Sequence, residues 1–217
     1  MRYHKRKSTL RITLGVLFLL LLNFYSFSWW FANGTPVGFT GNPAIQSDVV
    51  TGGGYFLDSY ILTLSFMQKT ELSVFQGLNY DELSGLLDRA AESMKLANET
   101  YAGLKQAADN TPYNQTVIEA LKYFDYDSLQ KTLGLDAAAF SEVKSYLVNG
   151  DIRGVYGKIL ADTGKIISLL KPVKSAIAER TFPALTEVWN LNQAYSRLLL
   201  FGQYVSTVFH HAVPSSM

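Results

Sequence analysis

Leu83, Leu86, Ala90, Met94, Ala97, Tyr101, Leu104 and Ala108 recur at intervals near three and four residues. That spacing commits the stretch to a long helix with one apolar face, because side chains three and four apart share a side. Arg89, Glu92, Lys95, Glu99 and Lys105 fall mainly off the stripe, as a solvated face requires. Asn79-Tyr80-Asp81-Glu82 opens the helix as a capping box with Asn in the N-cap role, and Asp109-Asn110-Thr111-Pro112 closes it.

The same period extends over most of the chain beyond residue 54. Tyr55–Gly77 places Phe56, Tyr60, Leu64, Met67 and Val74 on roughly one side. Residues 113–149 are more broken: Val117, Ile118 and Leu121 form a short apolar patch, Asp127 can cap a second piece and Asp136 a third, and Asn149-Gly150 is a stop. Asp151 restarts the pattern through Val155, Ile159, Ile166, Leu169, Val173 and Ile177, with Pro172 as an expected kink or junction. Thr181-Phe182-Pro183 reads as the start of a last helix reaching about Phe209. No strand-rich segment intervenes. The expected fold is therefore all-α: an elongated antiparallel bundle of about four main helices, plus a short broken helical arm over 113–149. Helices of 25–30 residues make a rod of roughly 40–45 Å.

The first 54 residues read differently. Residues 1–11 carry Arg2, Lys5, Arg6, Lys7 and Arg11, and no acidic residue appears before Asp48. Residues 12–32 form an apolar run without charge, long enough to cross a bilayer at about 1.5 Å per residue. The basic tail predicts a cytoplasmic N-terminus and a domain outside, with Trp29, Trp30 and Phe31 at the outer interface. The competing reading is a cleaved signal peptide, since Ser26-Phe27-Ser28 offers small residues at a cleavage site. Both export the domain. Residues 33–54 hold six glycines and two prolines and read as a spacer ending in a Gly-Gly-Gly hinge. A phosphate-binding loop would need Gly-Lys-Ser/Thr, and this segment has no lysine. The expected organisation is thus a tail (1–11), an anchor or signal (12–32), a spacer (33–54), a bundle (55–211) and a short C-terminal tail (212–217).

Charge and composition exclude several functions. Taking the five N-terminal cations from the 19 basic residues leaves 14 against 18 acidic, a net charge of about −4 on the remainder. Such a body lacks the clustered Lys and Arg that bind nucleic acid. With no cysteine, disulfides, thiolate metal sites and cysteine nucleophiles are excluded. Outside the N-terminal tail only the adjacent His210 and His211 remain, and neighbours on a helix point about 100° apart, a poor start for a metal site. Phe124-Asp125-Tyr126-Asp127 brings two acids to a helix break, where capping is the simpler role. Three Asn-x-Thr sequons, at Asn33, Asn98 and Asn114, are too short a pattern to decide anything. No metal, cofactor or catalytic constellation is expected, and the chain reads as a non-enzyme.

One stretch mixes messages. In NLNQAYSRLLLFGQYVSTVF (190–209), Leu191, Tyr195, Leu198, Gly202, Val205 and Phe209 fall in one helical sector. Asn192, Ser196, Gln203 and His210 form a polar column at one edge, while Asn190, Arg197 and Tyr204 gather towards another. A core helix with hydrogen-bonded flanks accounts for this. A small-ligand pocket also accounts for it, with Trp189 or Tyr195 as an apolar wall and Asn192, Ser196 and Gln203 as polar contacts. The leading expectation is a membrane-tethered extracytoplasmic bundle acting on a protein partner or envelope assembly. The second is a ligand-binding or sensory bundle using the pocket near residues 189–204.

Overall fold

The computed structural model describes residues 43–213. The expected membrane segment at 12–32, the first part of the spacer and residues 214–217 lie outside them. The described residues are all-α and form seven helices. They are α1 (Pro43–Gln76), α2 (Tyr80–Asp109), α3 (Gln115–Lys122), α4 (Tyr126–Leu133), α5 (Ala137–Leu147), α6 (Ile152–Ala178) and α7 (Leu185–Ala212). The four long helices pack antiparallel in the order α1–α2, α2–α6, α6–α7, and the three short ones form the broken arm, α5 against α7. Among the described residues no helix is long and apolar enough to cross a membrane.

Local chemistry sets most of the boundaries. Side chains of Asn79, Asn114, Asp125, Asp136 and Asp151 each accept a backbone N–H at the start of a helix. Such a cap contributes about 1 kcal/mol, which matters most for the two eight-residue helices α3 and α4. Asp125 is the cap of α4, where Asp127 was expected. Asp127 instead sits in the first turn and meets Lys144 at 2.7 Å. The Ala184 N–H donates to the Glu187 carboxylate at 3.0 Å at the start of α7, so Pro183 precedes the helix instead of opening it. Pro172 does not end α6, which runs through it.

The spacer expectation fails over residues 43–54, which are the first turns of α1. Three glycines in a row are poor helix formers alone, and packing overrides that preference here. A Cβ on Gly52 would lie 3.1–3.3 Å from three ring atoms of Tyr101 on α2. Glycine lets this aromatic ring lie directly on the α1 backbone. Residues 43–54 therefore belong to the bundle.

The α2 stripe is buried nearly as its period predicts, with Leu87 taking the place of Leu86. On α1 the buried face is rotated from the expected one: Ser59 and Thr63 are fully buried beside Phe56 and Phe66, while Tyr60, Leu64 and Met67 are half-buried. The reason lies across the bundle. The Tyr195 hydroxyl of α7 sits 2.6 Å from Ser59 Oγ and 3.2 Å from Thr63 Oγ1, so these small polar residues must face inward. Ser59 Oγ also reaches the Ala90 carbonyl of α2 at 2.6 Å, joining three helices. The Tyr195 ring packs against Tyr60 and Phe56, with centroids 5.2 and 5.9 Å apart.

The α2–α6 seam has its own polar tie: Asn98 Nδ2 donates to the Leu160 carbonyl at 3.0 Å and to Thr163 Oγ1 at 2.8 Å. The sequon asparagine is thus a packing residue. Ion pairs between Lys69 and Glu82 and between Arg180 and Asp81 mark one end of the bundle. At the other end the Arg153 guanidinium donates to the Ala108 and Thr111 carbonyls and lies over the Tyr113 ring. The start of α7 therefore sits at the end away from the start of α1.

Candidate functional site

Facing α6, α7 presents Trp189, Asn190, Gln193, Ala194 and Arg197, and α6 answers with Lys165 and Leu169. Between them lies an open cleft of about 470 Å³, within the size range of small-molecule sites. A smaller recess of about 120 Å³ continues it, lined by Glu142, Lys158, Asp162, Lys165, Ala194 and Arg197. Spacing explains the lining. Trp189, Gln193 and Arg197 are successive turns of α7, and Lys165 and Leu169 are successive turns of α6. The period predicted Leu169 for the core, but Leu170 is buried in its place and Leu169 is left at the cleft.

The charges divide into two sets. Lys158 meets Asp162 at 2.6 Å and Glu142 at 3.0 Å, and its ammonium lies 5.4 Å from the Phe201 ring centre. Partial burial works against the Lys158 ammonium, but the hydrogen bonds and charges of Asp162 and Glu142 outweigh it and hold its pKa above the ordinary lysine value. This trio ties α5 to α6 and neutralises itself apart from one negative charge, while the Lys158 ammonium over Phe201 adds a contact to α7. Lys165 and Arg197 are exposed, and neither has a carboxylate within ion-pair distance among the described residues.

Beside the cleft the surface turns apolar. Phe182 is 53% exposed, Leu185 80% and Trp189 61%. Leu185 and Trp189 are one turn apart on α7, and Phe182 lies just before the helix. Three large apolar side chains are thus held in water at one corner.

Of the five residues named from sequence, the structure does not make one site. Trp189 lines the cleft. Tyr195 is fully buried, and its hydroxyl is taken by Ser59 and Thr63. Burial pushes its pKa up to about 12 against the opposing effect of those hydrogen bonds, so it is a neutral core group and no wall of an open pocket. Asn192, Ser196 and Gln203 are half-buried on the other flank of α7, the side nearer Tyr195, and none lines the cleft. Their column was correctly spaced, but a wheel drawn for one helix does not say which flank its neighbours leave open. The other edge supplied Asn190 and Arg197. The signal for Lys165 was its place among the lysines of α6, and Phe182 and Leu185 offered only their apolar character.

Among the described residues no group of three His, Asp or Glu is placed to hold a metal ion. His210 and His211 are exposed at the end of α7, and His211 Nδ1 lies 2.8 Å from the Thr207 carbonyl. Burial raises the pKa of Tyr101 and of Tyr126, so neither is a base near neutral pH. The Tyr126 hydroxyl donates to the Leu121 carbonyl at 2.8 Å. Comparison with known protein families, with curated proteins and with solved structures finds no match to this chain.

Proposed function

We propose that this protein is a membrane-tethered, extracytoplasmic helical bundle that works by binding another protein at the corner formed by Phe182, Leu185 and Trp189. The carrying observation is the exposure of these three side chains together on an ordered helix start. Large apolar groups clustered in water mark interaction surfaces, and Trp is enriched among residues that dominate binding energy. The tether reading rests on the basic tail and the uncharged run at 12–32, which together orient a signal anchor with the bundle outside. The corner lies at the end of the bundle away from the start of α1. With α1 spanning about 50 Å at the usual helical rise, this corner and the start of α1, where the chain comes from the proposed anchor, lie at opposite ends of the bundle.

Native mass spectrometry of the full-length chain, extracted from its own membranes, tests both parts. The intact mass distinguishes a retained anchor from a cleaved signal. A second protein that stays with the wild type and is lost from Leu185→Asp and Trp189→Ala, with helicity unchanged, supports the binding reading. A partner retained by both variants would move the interface elsewhere. A ligand-binding or sensory bundle is the second reading, and the specific observation favouring it is the cleft beside Trp189.

A further inference from the structure

We infer that the α6–α7 cleft is a binding site for a small amphiphilic acid, an apolar or aromatic body carrying one carboxylate-like anionic group. The site is polarised along its length. Because α6 and α7 run antiparallel, Leu169 lies towards Trp189, and Lys165 lies beside Arg197 in the smaller recess. The cleft thus offers an aromatic and aliphatic wall at one end and two cations at the other, with the Asn190 and Gln193 amides between. Trp189 and Arg197 are eight residues apart, about 12 Å along the helix, the length of a two-ring or medium-chain acid.

Five charged side chains face the recess. Its two carboxylates, Glu142 and Asp162, are both engaged by Lys158. Lys165 and Arg197 have no carboxylate within ion-pair distance among the described residues, and with the trio's one residual negative charge the recess as a whole carries a net positive charge of one. An Arg guanidinium forks onto a carboxylate and a Lys ammonium adds a second charged donor, so an anion gains directed contacts here that a neutral ligand does not. The Trp189 face supplies contact area for the apolar body. The body of this protein is otherwise acidic, about −4 beyond the N-terminal tail, so this local reversal is selective for where an anion settles.

The cleft alone carries this inference. A failed acid test leaves partner binding at Leu185 standing, and a failed partner test leaves the acid site standing.

The test compares 1-naphthaleneacetate with its neutral isostere 1-naphthaleneacetamide on the full-length chain in detergent. The readout is the indole N–H resonance of Trp189, assigned by its loss in Trp189→Phe. The expected result is saturable binding of the acid, about tenfold tighter than the amide, with Lys165→Gln/Arg197→Gln bringing the two to equal affinity. Both cations are exposed, so the double variant keeps its helical content by circular dichroism. Salt gives an independent check on the wild type: added sodium chloride weakens the acid and leaves the amide unchanged. Equal affinity for acid and amide, no shift of the Trp189 resonance by either, or an acid preference that survives the double variant and high salt would each overturn the inference.

Discussion

Six residues apart on α7, Tyr195 and Trp189 have opposite surroundings. Tyr195 is fully buried, its hydroxyl bonded to α1 and its ring stacked on Tyr60 and tilted against Phe56. Trp189 stands 61% in water at one end of a cleft whose other end holds Lys165 and Arg197, neither paired with a carboxylate among the described residues. Both are amphipathic aromatics on one helix, so residue type does not separate them. The difference comes from the neighbours. Towards α1 the small polar residues Ser59 and Thr63 complete the hydrogen bonds of a buried group, and the seam closes. Towards α6 the facing residues are Lys165 and Leu169, which leave a cleft open. A polar group that finds its partners inside the fold serves stability, and one left without them is available to something else.

Removing the closed side should cost most. Tyr195→Ala takes away a buried ring and leaves Ser59 and Thr63 short of a partner, a loss of about 3–5 kcal/mol. Thermal unfolding of the full-length variant should show a midpoint lowered by roughly 10 °C or more. A near-wild-type midpoint would mean that the α1–α7 seam is not the closed core described.

The next effect appears at high pH. Tyr195 holds its proton up to about 12, whereas an unfolded tyrosine ionises near 10. Between these values the folded chain binds the extra proton, so stability falls as pH rises. Lys158 acts in the same direction: its folded pKa is raised, so its contribution is complete below the ordinary lysine value and is lost above it. Unfolding midpoints should therefore carry the full, pH-independent contribution of these groups below about pH 9.5 and fall beyond it. Tyr195→Phe should remove roughly 2–3 kcal/mol of that alkaline loss. An unchanged alkaline slope would contradict the buried, neutral state of Tyr195.

The smallest stability effect belongs to the open side. Trp189→Ala should shift unfolding by no more than about 0.5 kcal/mol, because little of the side chain is packed. A large shift would place Trp189 with the core and erase the contrast with Tyr195.

Much of the fold was legible. The α2 stripe, the Asn79 and Asp136 caps and the Asn149-Gly150 stop all follow from short-range chemistry, and Gly150 has the left-handed conformation (φ 66°) that its position requires. The start of α1 was not legible, because a triple glycine reads as a hinge until the Tyr101 ring is seen lying on Gly52. The inward turn of Ser59 and Thr63 was hidden for a similar reason: their partner is 136 and 132 residues away. For the site, helical spacing defined the polar edges of α7, and Trp189 was named as a candidate, whereas Arg197 lay on the edge that was not chosen. Choosing between those edges needed α6, whose Lys165 and Leu169 form the opposite wall.

The most direct measurement of the central claim is photo-crosslinking in the producing cell. A photoreactive phenylalanine analogue is placed at Leu185 in the corner and, as a control, at exposed Glu92 on α2. The account predicts one discrete crosslinked protein from position 185, lost when Trp189 is also replaced by alanine, and none from position 92. The same product from both positions, or no product from 185, would contradict a binding role for this corner.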